Sequence, residues 1–217
     1  MQLEVKTMAE LSEKNITPDF LYWVGSAGSF DDRAKKITRA FVKILNYANV
    51  SFGVLGVEES TSGDVAKRAG NEFLFQMQAL ANIEVMNTYK IKKIITTCPH
   101  SFNILKNEYP DLGGNYEVYH HSEFVHGLIE AKKITVSQNC IEEVMTYHDP
   151  CYLGRGNNIY DQPREIIKRL SKNFTEMPRK RRNSLCCGAG GAQMFKEAEK
   201  GNAEINIVRT QEALNTK

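Results

Sequence analysis

Lys93-Ile94-Ile95-Thr96-Thr97-Cys98-Pro99 and Val144-Met145-Thr146-Tyr147-His148-Asp149-Pro150-Cys151 each carry a short β-prone run into a cysteine beside a proline. Branched and aromatic residues bounded by a turn signal read as a strand. Pro99, just after Cys98, suits the first position of a helix. Upstream of these runs, Phe20-Leu21-Tyr22-Trp23-Val24-Gly25 predicts an earlier strand, and Asp31-Asp32 opens a helix with Ala34, Ile37, Phe41, Ile44 and Leu45 at helical spacing. Phe52-Gly53-Val54-Leu55 predicts a second strand. A long helix follows Gly63-Asp64, with Ala69, Phe73, Met77, Leu80 and Ala81 on its expected inner face. Tyr116 to Tyr119 predicts a fourth strand, ending in His120-His121. After the Val144–His148 run, Pro163 begins a helix with Ile166, Ile167 and Leu170, Phe174 to Met177 reads as a short strand, and helical sequence runs to about Leu214. Strands alternating with helices predict an α/β fold with parallel layers.

The same order of units occurs twice. The turn at Ser26 and the turn at Cys151 lie about 125 residues apart, and the loops at Thr61 and Cys187 share nearly that offset. The expectation is two similar halves, each a short, mostly parallel sheet flanked by helices. A polar leader covers residues 1–18, a first module 19–136 and a second module 137–217. The first-half loop at Cys98 has no counterpart before Lys217, so the second half reads as truncated. The cysteine loops are expected at the carboxyl ends of the strands, near the interface of the halves.

Composition narrows the function. Of 217 residues, 41% are apolar and 25% charged, as in a globular chain with a normal core. A net charge of +2 gives no electrostatic case for nucleic acid. No apolar run reaches the roughly 20 residues that span a bilayer. Met1 to Asn15 lacks the apolar centre of a signal peptide. The expectation is a cytoplasmic protein with no membrane span of its own, reaching a membrane only through a partner.

Five cysteines in such a chain point to metal or redox chemistry before disulfides. Thiolates are soft, anionic ligands suited to iron–sulfur clusters. Cys151 and the adjacent pair Cys186-Cys187 are candidate ligands, and Gly188-Ala189-Gly190-Gly191 offers backbone N–H groups to the sulfurs. Cys98 stands at another strand end. The competing reading is packed core thiols, and it is retained for Cys140, which lies in a polar stretch.

The stretches Tyr22-Trp23-Val24-Gly25, Arg68-Ala69-Gly70-Asn71-Glu72, Thr97-Cys98-Pro99-His100, His148-Asp149-Pro150-Cys151-Tyr152-Leu153-Gly154-Arg155 and Leu185-Cys186-Cys187-Gly188-Ala189-Gly190-Gly191 resemble the cysteine-rich CCG-domain proteins. These include the B-type subunit of heterodisulfide reductase and the iron–sulfur subunits of glycolate and lactate oxidation. The family motif is a cysteine, a Cys-Cys pair after roughly 30–40 residues, and Cys-x-x-Cys after roughly 35 more, enough thiolates for a cluster. The resemblance implies a [4Fe-4S] cluster and an electron-transfer subunit of an oxidoreductase, whose activity resides in the complex rather than in this chain alone. It implies partners of the same complex, a flavoprotein or a membrane iron–sulfur subunit. It assigns Cys151, Cys186 and Cys187 as metal ligands, with Cys98 a further cofactor-binding residue or a relic.

The chain departs from that motif. Ser26, Ser60, Thr61 and Ser101 stand at first-half ligand positions, so no cluster is expected there, since hydroxyls stay protonated far above thiols. The closing Cys-x-x-Cys of the second half falls beyond Lys217, leaving three thiolates and an outside ligand, in a fragment or a decayed site. Two alternatives follow: a cluster-free scaffold for the complex, and zinc held by the remaining thiolates.

Other features carry less. Gly25-Ser26-Ala27-Gly28 lacks the spacing of a dinucleotide fingerprint. His100 and His148 adjoin the cysteine loops and are candidates to tune a cluster or carry a proton, ahead of His120-His121. Arg179 to Arg182 reads first as a solvated loop, and second as a docking patch for an acidic redox partner. Glu58-Glu59 reads as a loop signal.

Overall fold

The computed structural model describes residues 3–197 and 200–216. Met1 and Gln2 of the expected leader, Ala198-Glu199 in the last helical stretch, and Lys217 lie outside them. The chain divides into two compact units, Met1–Ile134 and Thr135–Lys217.

In the first unit, β1 (Phe20–Trp23), β2 (Phe52–Gly53), β3 (Lys93–Thr96) and β4 (Glu117–His120) form a parallel sheet in the order β2-β1-β3-β4. Leu21 registers with Gly53 and Ile94, and Ile95 with Tyr119. Leu21, Tyr22 and Trp23 in succession are buried, as are Ile94 and Ile95. Central parallel strands are covered on both faces, which is why they read as continuous apolar runs. Parallel neighbours need long crossovers. Here these carry α2 (Gly25–Phe30), α3 (Asp32–Tyr47), α4 (Asp64–Arg68), α5 (Glu72–Thr88) and α6 (Pro99–Asn107), and α7 (His121–Glu130) follows β4.

Local signals place the helix starts. Asp31 caps α3 by accepting from Ala34 N at 2.7 Å, and Pro99 is the first residue of α6. The expected leader contains α1 (Met8–Glu13), opened by a capping box between Thr7 and Glu10. Met8 and Leu11 are buried, and Met8 N donates to Val54 O at 2.8 Å.

The expected long helix after Gly63 is two helices. Gly70 adopts φ +85°, a conformation that ends α4, and Asn71 caps α5 by accepting from Leu74 N at 3.0 Å. The new start resets the helical phase. Phe75, Ala79, Ile83 and Met86 face inward, whereas Phe73, Met77 and Leu80 of the predicted inner face are exposed, Phe73 by 76%.

The second unit contains α8 (Asp161–Leu170) and α9 (Ile205–Leu214). The strand expected over 144–148 is reduced to a single parallel bridge, Met145 with Phe174, and a second bridge joins Ile141 to Ser171. The expected strand over 174–177 contributes only its first residue to that ladder. Polar anchoring of His148 and Asp149 takes over where a ladder would continue. Among the described residues, the helical stretch expected up to Leu214 holds a short 3-10 helix at Gln193–Phe195 and α9 from Ile205.

Candidate iron–sulfur site

Cys186 and Cys187 sit on a loop whose backbone turns toward their sulfurs. Gly188 N donates to Cys186 Sγ at 3.4 Å, and Ala189 N to Cys187 Sγ at 3.5 Å. Gly188 adopts φ +78°, and a Cβ there would lie 3.0 Å from Asn206 N, so both conformation and space require glycine. A cavity of about 630 Å³ opens beside the pair, with Met194, Lys196, Glu204 and Ile205 among its walls.

The Cys187 thiol is held near pKa 6. The main cause is hydrogen bonding from the His148 side chain; burial opposes it, and the backbone N–H groups of Ala189 and Gly190 add to the lowering. A thiol so lowered is thiolate at neutral pH, the form that binds iron or zinc. His148 Nδ1 accepts from Arg209 Nε at 2.9 Å.

Next along the chain, Asp149 is buried under Arg164, which donates NH1 to Oδ1 at 2.6 Å and NH2 to Oδ2 at 2.7 Å. Arg181 N adds a bond to Oδ2 at 2.6 Å, and Glu176 accepts from Arg164 Nε at 2.7 Å. Burial would raise the Asp149 pKa, but these bonds outweigh it and hold it below the usual carboxylate range. The network fixes the backbone on which Cys151 follows two residues later, at the start of a turn closed by Gly156 N to Cys151 O at 3.0 Å.

Cys151 shares the second unit with Cys186 and Cys187, whereas Cys98 belongs to the first. Among the described residues, no group of three or more His, Cys, Asp or Glu side chains is arranged to hold a metal ion. The donor set fits an iron–sulfur cluster by its chemistry: soft thiols, one with a lowered pKa, and N–H donors aimed at sulfur. All five cysteines are free, and Cys140 is exposed, which corrects the packed-core reading. A polar flank without an inward phase leaves it at the surface.

In the first unit, the matching loops meet at the carboxyl ends of β1 and β3, beside the reversal of strand order where α/β sheets bind ligands. A Cβ on Gly25 would lie 3.7 Å from Ser101 Oγ and 4.0 Å from Cys98 Cβ. Glu59 fills the β1 turn, accepting from Val24 N at 2.9 Å and Gly25 N at 2.5 Å. An internal carboxylate thus occupies the turn that a phosphate would need. Burial is the main cause of a Glu59 pKa raised to about 7. His100 Nδ1 lies 2.7 Å from Asp64 Oδ2, and buried His120 and half-buried His121 have depressed pKa values, mainly because their surroundings exclude water.

Two residues of the basic run bond acids within their own unit: Arg179 bonds Glu212, and Arg181 NH2 bonds Asp161 at 2.6 Å. Sequence reasoning missed Glu59, Arg164 and Arg209. Only Glu59 carried a signal, since it occupies the first-half loop that corresponds to the cysteine pair.

Two segments, residues 21–106 and 145–217, match the cysteine-rich domain (CCG) family, and the chain belongs to it. It is 47% identical over 212 residues to the probable iron-sulfur-binding oxidoreductase FadF of Bacillus subtilis, covering 97% of this chain and 30% of that protein. It is 48% identical over 181 residues to the EtfAB:quinone oxidoreductase of Syntrophomonas wolfei, covering 83% of this chain and 25% of that one. Against a dihydromethanophenazine:CoB--CoM heterodisulfide reductase subunit of Methanosarcina mazei it is 33% identical over 180 residues, 80% of this chain and 43% of that one. The chain therefore spans less than half the length of these curated relatives. No solved structure matches it.

Proposed function

We propose that this chain is the cysteine-rich, cluster-holding part of an electron-transferring oxidoreductase, with Cys151, Cys186 and Cys187 as the ligands of a [4Fe-4S] cluster. The observation that carries this reading is the Cys186-Cys187 pair, each sulfur accepting a backbone N–H, with Cys187 primed as a thiolate. A cluster held there would supply one-electron transfer. The protein's own residues hold the thiols in place, shield part of Cys187 from water and direct N–H groups at the negative sulfurs. Cys98 stands among hydroxyls and belongs to a first unit that holds no cluster. The domain assignment, residues 19–136 and 137–217 as a replaced and a ligand-bearing module, is part of this proposal.

Relatives named an EtfAB:quinone oxidoreductase and a heterodisulfide reductase subunit support a place in a multi-subunit redox complex; a flavoprotein or membrane iron–sulfur partner and a cytoplasmic location are part of the proposal. Among the described residues, no helix is long and apolar enough to cross a membrane.

The test is anaerobic reconstitution of this chain with ferrous iron and sulfide, with a small thiol present to complete the ligand set, followed by iron, sulfide and zinc quantitation. Stoichiometric iron and sulfide, lost in Cys187→Ala, is the expected result. Zinc alone would replace the cluster with a zinc site. Absence of all metal would overturn the reading in favour of a cluster-free scaffold.

A further inference from the structure

We propose that the amino-terminal end of the first unit's sheet is a docking site for a partner protein. A hollow beside α7 receives one large apolar side chain of an acidic segment, and lysines around the hollow hold the carboxylates of that segment. None of the residues involved is a candidate cluster ligand, so this surface and the proposed cluster stand or fall separately.

A cavity of about 350 Å³ opens beside α7 and the first residue of β1, with Phe20, Tyr119, Phe124, Gly127, Leu128 and Lys133 among its walls. Phe20, Tyr119 and Phe124 form an edge-to-face triangle, with ring centroids 5.1 to 6.2 Å apart. Each ring is only half-buried, whereas the next residues of β1, Leu21, Tyr22 and Trp23, are buried completely. The aromatic cluster therefore keeps one side open to solvent. Gly127 lies inside α7, where glycine is the least favoured residue after proline. It does not adopt a positive φ, and no described atom lies within 4 Å of the place its Cβ would take. Neither backbone conformation nor packing within this chain calls for glycine there. Its missing side chain leaves room beside the rings for a group from elsewhere.

Lysines surround this end of the sheet. Lys133 lines the hollow, and an adjoining cavity of about 410 Å³ shares Asp19 and Phe20 with it and is lined by Lys90, Lys92 and Lys93. Lys132 is the chain neighbour of Lys133. Lys93 is committed to Glu117 at 4.0 Å and to the face of Phe20. Lys90, Lys92, Lys132 and Lys133 are exposed, and among the described residues none of them is in an ion pair. The carboxylates on the same walls are Asp19 and Glu123, so four uncommitted ammonium groups face two acids. In a chain whose net charge is only +2, this is a local concentration of positive charge. One apolar anchor in a pocket, with opposite charge around it, is how a small protein interface gains both energy and orientation. The hollow is concave, with its rings set as walls. A membrane surface would instead be met by apolar side chains that project outward.

The test is an amide chemical-shift titration of the full chain with three acetylated peptides, Asp-Glu-Ser-X-Ser-Glu-Asp, where X is phenylalanine, leucine or tryptophan. Saturable shifts at Gly127 and Lys133 are expected with at least one of them, weakened about tenfold or more when X is alanine, and weakened again by added salt. Gly127→Leu fills the hollow without a clash and favours the helix. It should abolish binding without lowering the midpoint of urea unfolding followed by Trp23 fluorescence. Lys133→Glu, at an exposed position, should weaken the acidic peptides several-fold.

No saturable binding by any of the three peptides, equal binding of the alanine form or of a form with lysines in place of its acids, or undiminished binding by a folded Gly127→Leu would each overturn the proposal. Shifts at the same residues with phosphatidylglycerol vesicles and none with peptides would overturn it in favour of a membrane surface. Shifts that follow protein concentration alone would overturn it in favour of a second copy of this chain. Should Gly127→Leu fail to fold, the alanine peptide and Lys133→Glu decide.

Discussion

Replacing Glu59 by glutamine should remove a pH dependence from the first unit. The Glu59 carboxyl has a pKa of about 7 in the fold, mainly through burial, against an ordinary value of 4.5. A tenfold change in proton affinity corresponds to about 1.4 kcal/mol, so the difference between the two values amounts to about 3 kcal/mol. Because the folded pKa is the higher one, the folded state holds a proton that the unfolded chain releases between those values. Stability from this group is therefore full below pH 4.5 and is lost as pH rises through 7.

His120 and His121 act oppositely: burial lowers both, so their contribution is present above the ordinary histidine value of 6.5 and is lost as pH falls. The difference between the unsubstituted chain and Glu59→Gln cancels the histidines. The assay is urea unfolding followed by Trp23, the single tryptophan, which is buried on β1 beside the turn that Glu59 caps. Relative to Glu59→Gln, the midpoint of the unsubstituted chain should drop by on the order of 1–2 M urea from pH 4.5 to 8. A pH-independent difference, or one rising with pH, would refute a buried, proton-holding Glu59.

Arg164→Leu leaves Asp149 and Glu176 without their guanidinium and should cost about 3–5 kcal/mol, read by hydrogen exchange in residues 148–151; adding Asp149→Leu should recover part of that loss. At Gly53, a Cβ would lie 2.7 Å from Met8 Sδ and 2.8 Å from Leu11 Cδ1, so Gly53→Val should lift α1 from the sheet at about 1–3 kcal/mol. Faster exchange at Met8 N is the readout. Asn82→Ala removes bonds to Thr61 O at 2.8 Å and Tyr109 Oη at 3.1 Å, and should cost about 1–3 kcal/mol in the Trp23-monitored urea transition.

The sheet was legible because its central strands are buried on both faces and stand out as runs such as Leu21-Tyr22-Trp23 and Ile94-Ile95. Helix starts at Asp31 and Pro99 were legible because capping is local chemistry. The inner face of α5 was not, since Phe73 to Met86 is apolar on most sides and carries no dominant period. Its phase is set by Asn71 and by the tertiary bonds of Asn82.

At the candidate site, adjacency and composition singled out Cys186 and Cys187 as the residues to propose. The roles of Arg164 and Arg209 could not be read the same way. Each is an ordinary helix residue in sequence, and what distinguishes it is a partner 15 or 61 positions away.

The close approach of Gly188 to Asn206 also fixes an order of events during synthesis. A chain made from its amino end can complete its first sheet while later residues are still being added. The Cys186-Cys187 loop has no such independence, because one wall against its glycine is the backbone at the start of α9 and the arginine behind His148 comes later still. The thiols are synthesised well before they are organised. Until α9 emerges the loop lacks that wall, and a cluster of the kind proposed would find an ordered pocket only once that helix has docked.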